Sequence, residues 1–285
     1  MTATTPLISA EELAELLATG ASDPDGYALV LLDARWYLSE PGRGRAEYEQ
    51  AHLQGAVFVD VDHDLSSHAA SDGRGGRHPL PDPVDLQQVM RRAGINEDTQ
   101  VVVYDQGLSL GAARAWWLLR DGGHEDVRVL DGGIGAWIRN GGEVTDEVPE
   151  PLAGTVILRP GTMPQHDADG VVAALAEGRT VVDVRAANRY RGEDETIDPV
   201  AGHIPGAISR PAATVATGKG FASADEIREH FAELEPGDVF TCGSGITAAQ
   251  AVLAAEAAGV RGLAIYPGSW SDWISDPTRP VATGA

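Results

Sequence analysis

The chain has 285 residues, 43 acidic against 21 basic side chains, a formal net charge of −22 and a single cysteine, Cys242. One cysteine leaves no disulfide within the chain and no zinc site built on thiolates. The acidic balance argues against duplex nucleic acid or an anionic membrane surface as a partner.

No apolar run approaches the roughly 20 residues of a membrane helix. Residues 1–12 show no basic segment followed by an apolar core. The expectation is a soluble, cytoplasmic protein. The length suits two domains, since domains cluster near 100–150 residues.

In chain order, Ser9-Ala-Glu-Glu12 is a capping box opening a helix whose Leu13, Leu16 and Leu17 form an apolar stripe. Then come the blocks Leu31-Leu-Asp-Ala-Arg35 and Ala51-His-Leu-Gln-Gly-Ala56, followed by a Gly/His/Ser-rich stretch over 66–83. Val101-Val-Val-Tyr-Asp105 and Leu130-Asp-Gly-Gly133 follow, the latter leading to Trp137. Residues 140–164, with four prolines, read as a linker zone.

Beyond it, strands are expected over 180–183, 238–241 and 262–265, and helices over 224–234 and 247–258. The capping box Ser223-Ala-Asp-Glu226 opens the first of these helices.

The second half repeats the first. Val181-Val-Asp-Val-Arg185, Gly202-His-Ile-Pro-Gly-Ala207, Asp238-Val-Phe-Thr-Cys242 and Tyr266-Pro-Gly-Ser269 match the four earlier blocks in the same order. The first half is longer between its second and third blocks, which places an insertion in the 66–83 stretch. Strands alternating with helices imply an α/β fold with two mainly parallel sheets, each flanked by helices. The expected domains are 1–146 and 147–285. His52 and His203, at matching places before a Gly-Ala turn, read as structural.

Cys242 ends a strand and precedes Gly243-Ser-Gly-Ile-Thr247 and an alanine-rich helix. The glycines let several N–H groups turn into the loop, and the helix adds about half a positive charge at its N-terminus. An anion at the loop's centre is stabilised, so a thiol there suits a thiolate nucleophile. The competing reading is an inert core cysteine.

Cys-Gly-Ser-Gly-Ile-Thr, together with Tyr266-x-Gly-Ser-Trp-x-x-Trp273, resembles the two-domain rhodanese family, and within it the 3-mercaptopyruvate sulfurtransferases. The resemblance spans both halves and implies a catalytic C-terminal domain beside a non-catalytic N-terminal copy. Asp105 stands where the first copy's cysteine would be.

The implied reaction moves a sulfane sulfur from 3-mercaptopyruvate to a thiol, such as thioredoxin or a small thiol, or to cyanide. It runs through a Cys242 persulfide and needs no cofactor or metal. By the same resemblance Ser244, His78 and Asp62 form a proton relay, with the first domain closing over the second domain's loop. Arg189 grips the donor carboxylate with Arg191 nearby, and Gly243, Gly245, Ile246 and Thr247 line the anion site. The alternative for the three arginines of 185–191 is ion pairing with Asp183, Glu193 or Asp194.

A second carboxylate-binding arginine, expected of mercaptopyruvate enzymes, is absent from the acidic stretch Gly192 to Pro199. Thiosulfate is therefore the alternative donor, and a non-catalytic sulfur carrier a further reading. A cysteine phosphatase needs an arginine six positions after its cysteine, and here that position is Ala248. A nucleotide phosphate loop fails for want of a Lys-Ser/Thr ending. Trp270 and Trp273 are expected to pack under the loop, with Ser269 and Trp270 at the cleft rim.

Overall fold

The structure is a computed structural model that describes residues 5–18 and 29–285; the first four residues of the polar N-terminal stretch lie outside the described residues. The chain forms two compact units. The first takes residues up to Leu65, Pro81–Thr162 and Ala216–Phe221; the second takes Ser66–Leu80, Met163–Val215 and Ala222–Ala285.

The first unit is built on a five-stranded sheet in the order Leu7–Ile8, Val127–Leu130, Gln100–Tyr104, Leu29–Asp33, Val57–Phe58. All its strand pairs are parallel. The central strands bury most of their length, with Leu32, Val101, Val102, Val103 and Val129 at 0% exposure. Apolar, β-branched runs are what a sheet covered on both faces requires. The capping box closes as read: Ser9 N–H donates to Glu12 Oε2 at 2.9 Å and Glu12 N–H to Ser9 Oγ at 3.1 Å. It starts the helix Ala10–Ala18, whose Leu13 enters the core.

The second unit repeats the plan with four parallel strands in the order Ala264–Ile265, Val239–Thr241, Val181–Asp183, Ile208–Ser209. Its Ser223/Glu226 capping box is formed, but the helix it opens stops at His230. Phe231, 1% exposed, turns into the core instead, and Glu233 adopts a left-handed φ of 71°.

The duplication extends to individual hydrogen bonds. Arg35 Nη2 donates to Asp33 Oδ2 and to Ala51 O, each at 2.7 Å. Arg185 Nη2 does the same to Asp183 Oδ2 at 2.6 Å and to Gly202 O at 2.7 Å. His52 Nδ1 lies 2.7 Å from Tyr48 O and stacks on the Tyr48 ring, with centroids 4.0 Å apart. His203 Nδ1 lies 2.7 Å from Tyr190 O and stacks on Tyr190 at 3.7 Å. Both histidines brace the chain where it re-enters the sheet.

Two stretches pack differently from the sequence expectation. Residues 140–162 are not a free linker. Val144–Thr145 pairs antiparallel with His52–Leu53, Val156 is 1% exposed, and Val156 N–H donates to Ile95 O at 3.1 Å. These bonds carry the first unit past the expected boundary at 146/147, to Thr162. Conversely Ser66–Leu80, an insertion in the first half of the sequence, packs as part of the second unit. Gly75 N–H donates to Asp272 Oδ1 at 2.7 Å and Arg77 N–H to Ser271 Oγ at 3.0 Å.

Candidate active site: the Cys242 loop

Cys242 follows the strand Val239–Thr241 and is 1% exposed. The loop folds back on it. Gly245 N–H donates to Cys242 Sγ at 3.1 Å. Gly245 takes a left-handed φ of 83°, and a Cβ there would meet Pro267 O at 2.3 Å, so glycine is required twice over. The helix Ile246–Ala257 begins at once, and its N-cap residue is the same Gly245 whose N–H meets the sulfur. Ile246 is buried and Thr247 half-buried at its first turn.

A second short helix, Ser269–Trp273, clamps the loop's other side. Ser269 Oγ accepts from Cys242 N–H at 3.0 Å and from Gly245 N–H at 3.1 Å, and donates to Tyr266 O at 2.7 Å. Trp270 and Ser271 N–H groups bond the carbonyls of Cys242 and Gly243, each at 3.0 Å. Ser269 and Trp270 are therefore not rim residues: they are 0% and 1% exposed and hold the loop from beneath. Trp273 is equally buried, its indole N–H donating to Pro280 O.

Among the expected relay groups, Ser244 and His78 meet. His78 Nδ1 lies 2.7 Å from Ser244 Oγ, and both residues are buried. His78 arrives on the Ser66–Leu80 segment, within the unit that carries the cysteine. Asp62 belongs to the first unit, where its Oδ1 accepts from Trp36 Nε1 at 2.9 Å.

Arg189 faces the loop and Arg191 does not. A methyl group built on Gly243 would stand 3.6 Å from Arg189 Nη1. Arg191 bonds Glu193 Oε2 at 2.7 Å in an exposed pair. The partners of Arg189 are Glu195 Oε2 at 2.9 Å and Asp198 Oδ2 at 2.7 Å, rather than the Glu193 or Asp194 weighed from the sequence. Burial pushes the Glu195 carboxyl up. Its bonds to Arg189 and to the N–H groups of Asp198 and Ile197 outweigh this and hold it below the ordinary glutamate range.

The sequence did not point to Arg77. The same methyl on Gly243 would stand 3.0 Å from Arg77 Nη2, while Arg77 Nη1 is ion-paired with Asp198 Oδ1. Its only signal was adjacency to His78.

The first unit carries the same loop with a carboxylate in it. Asp105 follows the strand Gln100–Tyr104 and is 1% exposed. Its Oδ1 accepts from Gly107 N–H at 2.7 Å and Ser109 N–H at 3.0 Å, at the start of the helix Leu110–Asp121. Burial raises the Asp105 carboxyl above its usual range, and the N–H groups of Gly107, Ser109, Ala112 and Leu110 pull the other way. This frame, a strand end, amides turned inward and a helix start, is an anion cradle.

The rhodanese-like domain family matches twice, over residues 9–140 and 167–276. The chain belongs to the rhodanese family. A rhodanese of Pseudomonas aeruginosa named "Probable 3-mercaptopyruvate sulfurtransferase" is 42% identical over 95% of this chain and 97% of its own length. The thiosulfate sulfurtransferase of Gallus gallus is 34% identical over 94% of this chain and 93% of its own. Among solved rhodanese folds, the 3-mercaptopyruvate sulfotransferase SseA from Escherichia coli superposes with a TM-score of 0.79 at 31% identity, covering 94% of this chain and 99% of that one. Among the described residues, no helix is long and apolar enough to cross a membrane.

Proposed function

We propose that this rhodanese is a sulfurtransferase that takes a sulfane sulfur from 3-mercaptopyruvate onto Cys242 and passes it to a thiol or to cyanide. The observation that carries the reading is the Cys242 loop: a buried sulfur facing the Gly245 N–H at 3.1 Å, with Ser244 of the same loop bonded to His78 and two arginines against Gly243.

The Cys242 thiolate attacks the donor sulfur, an S–S bond forms and the donor's C–S bond breaks. The electron pair leaves on carbon as the pyruvate enolate. A proton delivered by Ser244 under His78 completes pyruvate, and the donor's thiol proton restores the pair. The product on the protein is a persulfide anion, which the loop amides and the helix N-terminus stabilise. An acceptor thiolate or cyanide then attacks the outer sulfur, and Cys242 departs as thiolate. The same reading places Asp62 third in the relay, Arg189 on the donor carboxylate, and a small thiol or thioredoxin as acceptor in a cytoplasmic setting. Arg191, turned to Glu193, serves the site only indirectly.

The Gly-Ser-Gly loop and the His78–Ser244 pair favour mercaptopyruvate over thiosulfate. Sulfite leaves as a stable anion and needs no proton, so a thiosulfate enzyme has no use for a relay. Side-by-side assays of pyruvate from mercaptopyruvate and sulfite from thiosulfate test this, with mass spectrometry of the protein after donor treatment. One added sulfur on wild type and none on Cys242→Ser is the expected result. Full turnover by Cys242→Ser overturns the mechanism.

A further inference from the structure

The second arginine that the stretch Gly192 to Pro199 lacks is supplied from elsewhere in the chain. Arg77 and Arg189 lie on segments far apart in sequence, yet one buried carboxylate joins them. Asp198, with its side chain 1% exposed, gives Oδ1 to Arg77 Nη1 and Oδ2 to Arg189 Nη2. Glu195 Oε2 fixes Arg189 further through Nε.

Each guanidinium keeps one terminal nitrogen for the loop. Arg77 Nη2 and Arg189 Nη1 are the atoms nearest to a methyl built on Gly243, at 3.0 and 3.6 Å. Arg77 Nε is buried without a hydrogen-bond partner. Two arginines against Asp198 and Glu195 carry no net charge, so this patch attracts an anion through aimed N–H groups rather than through excess charge.

We propose that Arg77 Nη2 and Arg189 Nη1 form a two-pronged clamp for the donor's carboxylate, and that Asp198 is the positioning residue that aims both. The clamp rests on the sulfur-transfer reading and sharpens it. It favours a donor whose planar carboxylate meets two guanidinium edges over a donor presenting a tetrahedral sulfonate. It also accounts for the acidic residue in a stretch where an arginine was expected: Asp198 recruits an arginine instead of being one.

The test is steady-state kinetics of wild type, Arg77→Ala and Arg77→Lys with both donors, with pyruvate as competitive inhibitor and melting temperature as a control. Arg77→Ala is expected to raise the mercaptopyruvate KM about tenfold with kcat within about threefold, and to weaken pyruvate inhibition by a similar factor. Arg77→Lys, which keeps the charge and loses the fork, is expected to restore thiosulfate KM but not mercaptopyruvate KM.

Unchanged KM and pyruvate inhibition in a variant that melts like wild type overturn the clamp. So does equal rescue of both donors by lysine, which reduces Arg77 to a point charge. A wild-type protein that forms no persulfide defeats the sulfur-transfer reading itself. One that forms it, with Arg77→Ala kinetics unchanged, defeats the clamp alone.

Discussion

His78 and Ser244 are 166 positions apart in the chain, and their side chains stand 2.7 Å from each other in the unit that carries Cys242. The contact exists because an insertion in the first half of the sequence packs with the second. It places an imidazole, the side chain suited to moving protons near neutral pH, one hydroxyl away from the sulfur loop.

If that pair delivers the proton to the departing enolate, His78→Ala and Ser244→Ala each lower mercaptopyruvate kcat by about 10²-fold or more, the usual scale of general acid–base catalysis. Thiosulfate turnover falls by less than about tenfold, because sulfite departs without a proton. Pyruvate and sulfite release rates measure the contrast. Equal losses on both donors remove the pair from the proton path.

The loop glycine is the sharpest stability probe. Gly245→Ala places a Cβ 2.3 Å from Pro267 O at φ 83°, whereas Gly259→Ala, at φ 88°, meets nothing within 4 Å. Both substitutions carry the left-handed cost of about 1–2 kcal/mol, and only the first adds a clash with backbone. Urea unfolding should therefore show the larger loss for Gly245→Ala, with the persulfide lost as well, and Gly259→Ala with sulfur transfer intact.

Ser269→Ala removes the acceptor of the Cys242 and Gly245 amides. The Gly245 amide keeps Cys242 Sγ as its acceptor, but leaving the buried Cys242 N–H unsatisfied costs about 1–3 kcal/mol. The predicted outcome is a lower denaturant midpoint together with faster alkylation of Cys242, as its enclosure loosens. A slower or unchanged alkylation rate contradicts the role given to this hydroxyl.

Glu195 makes the arginine patch acid-sensitive. Against the upward push of burial, its carboxyl is held below the ordinary glutamate range by Arg189 and the Asp198 and Ile197 N–H groups. A depressed folded value means that its contribution to stability is fully present above the unfolded value, and is lost as pH falls through the folded one. The stability gap between wild type and Glu195→Gln should be constant from neutral pH down to about 5 and shrink at more acid pH. Chemical denaturation across that range reads it. A gap that widens on acidification reverses the sign.

Much of this was legible in the sequence where the signal was local. The repeated Asp-x-Arg and His-x-x-Gly-Ala blocks announced two copies, because each bonds to backbone within the same half, 4 to 17 positions away, and must recur for that half's path to recur. Cys242 and its glycines were legible because strand, loop and helix are consecutive. Arg77 was not: its partner Asp198 lies 121 positions away, and no periodicity links a surface-like Gly/Arg stretch to an acidic one. The linker reading of 140–164 failed over 140–162 for a related reason. Its prolines and glycines signal an irregular backbone, yet Val156 and Leu158 are buried, so an irregular path was mistaken for an unpacked one.

The allegiance of Ser66–Leu80 has a consequence for how this duplicated chain can change. The two halves of the sequence are not interchangeable: a cut between them would leave the cysteine on one product and Arg77 and His78 on the other. The half with Asp105 in its loop is therefore not dispensable to the unit that carries Cys242. Its removal would take a cation and an imidazole, Arg77 and His78, out of that unit.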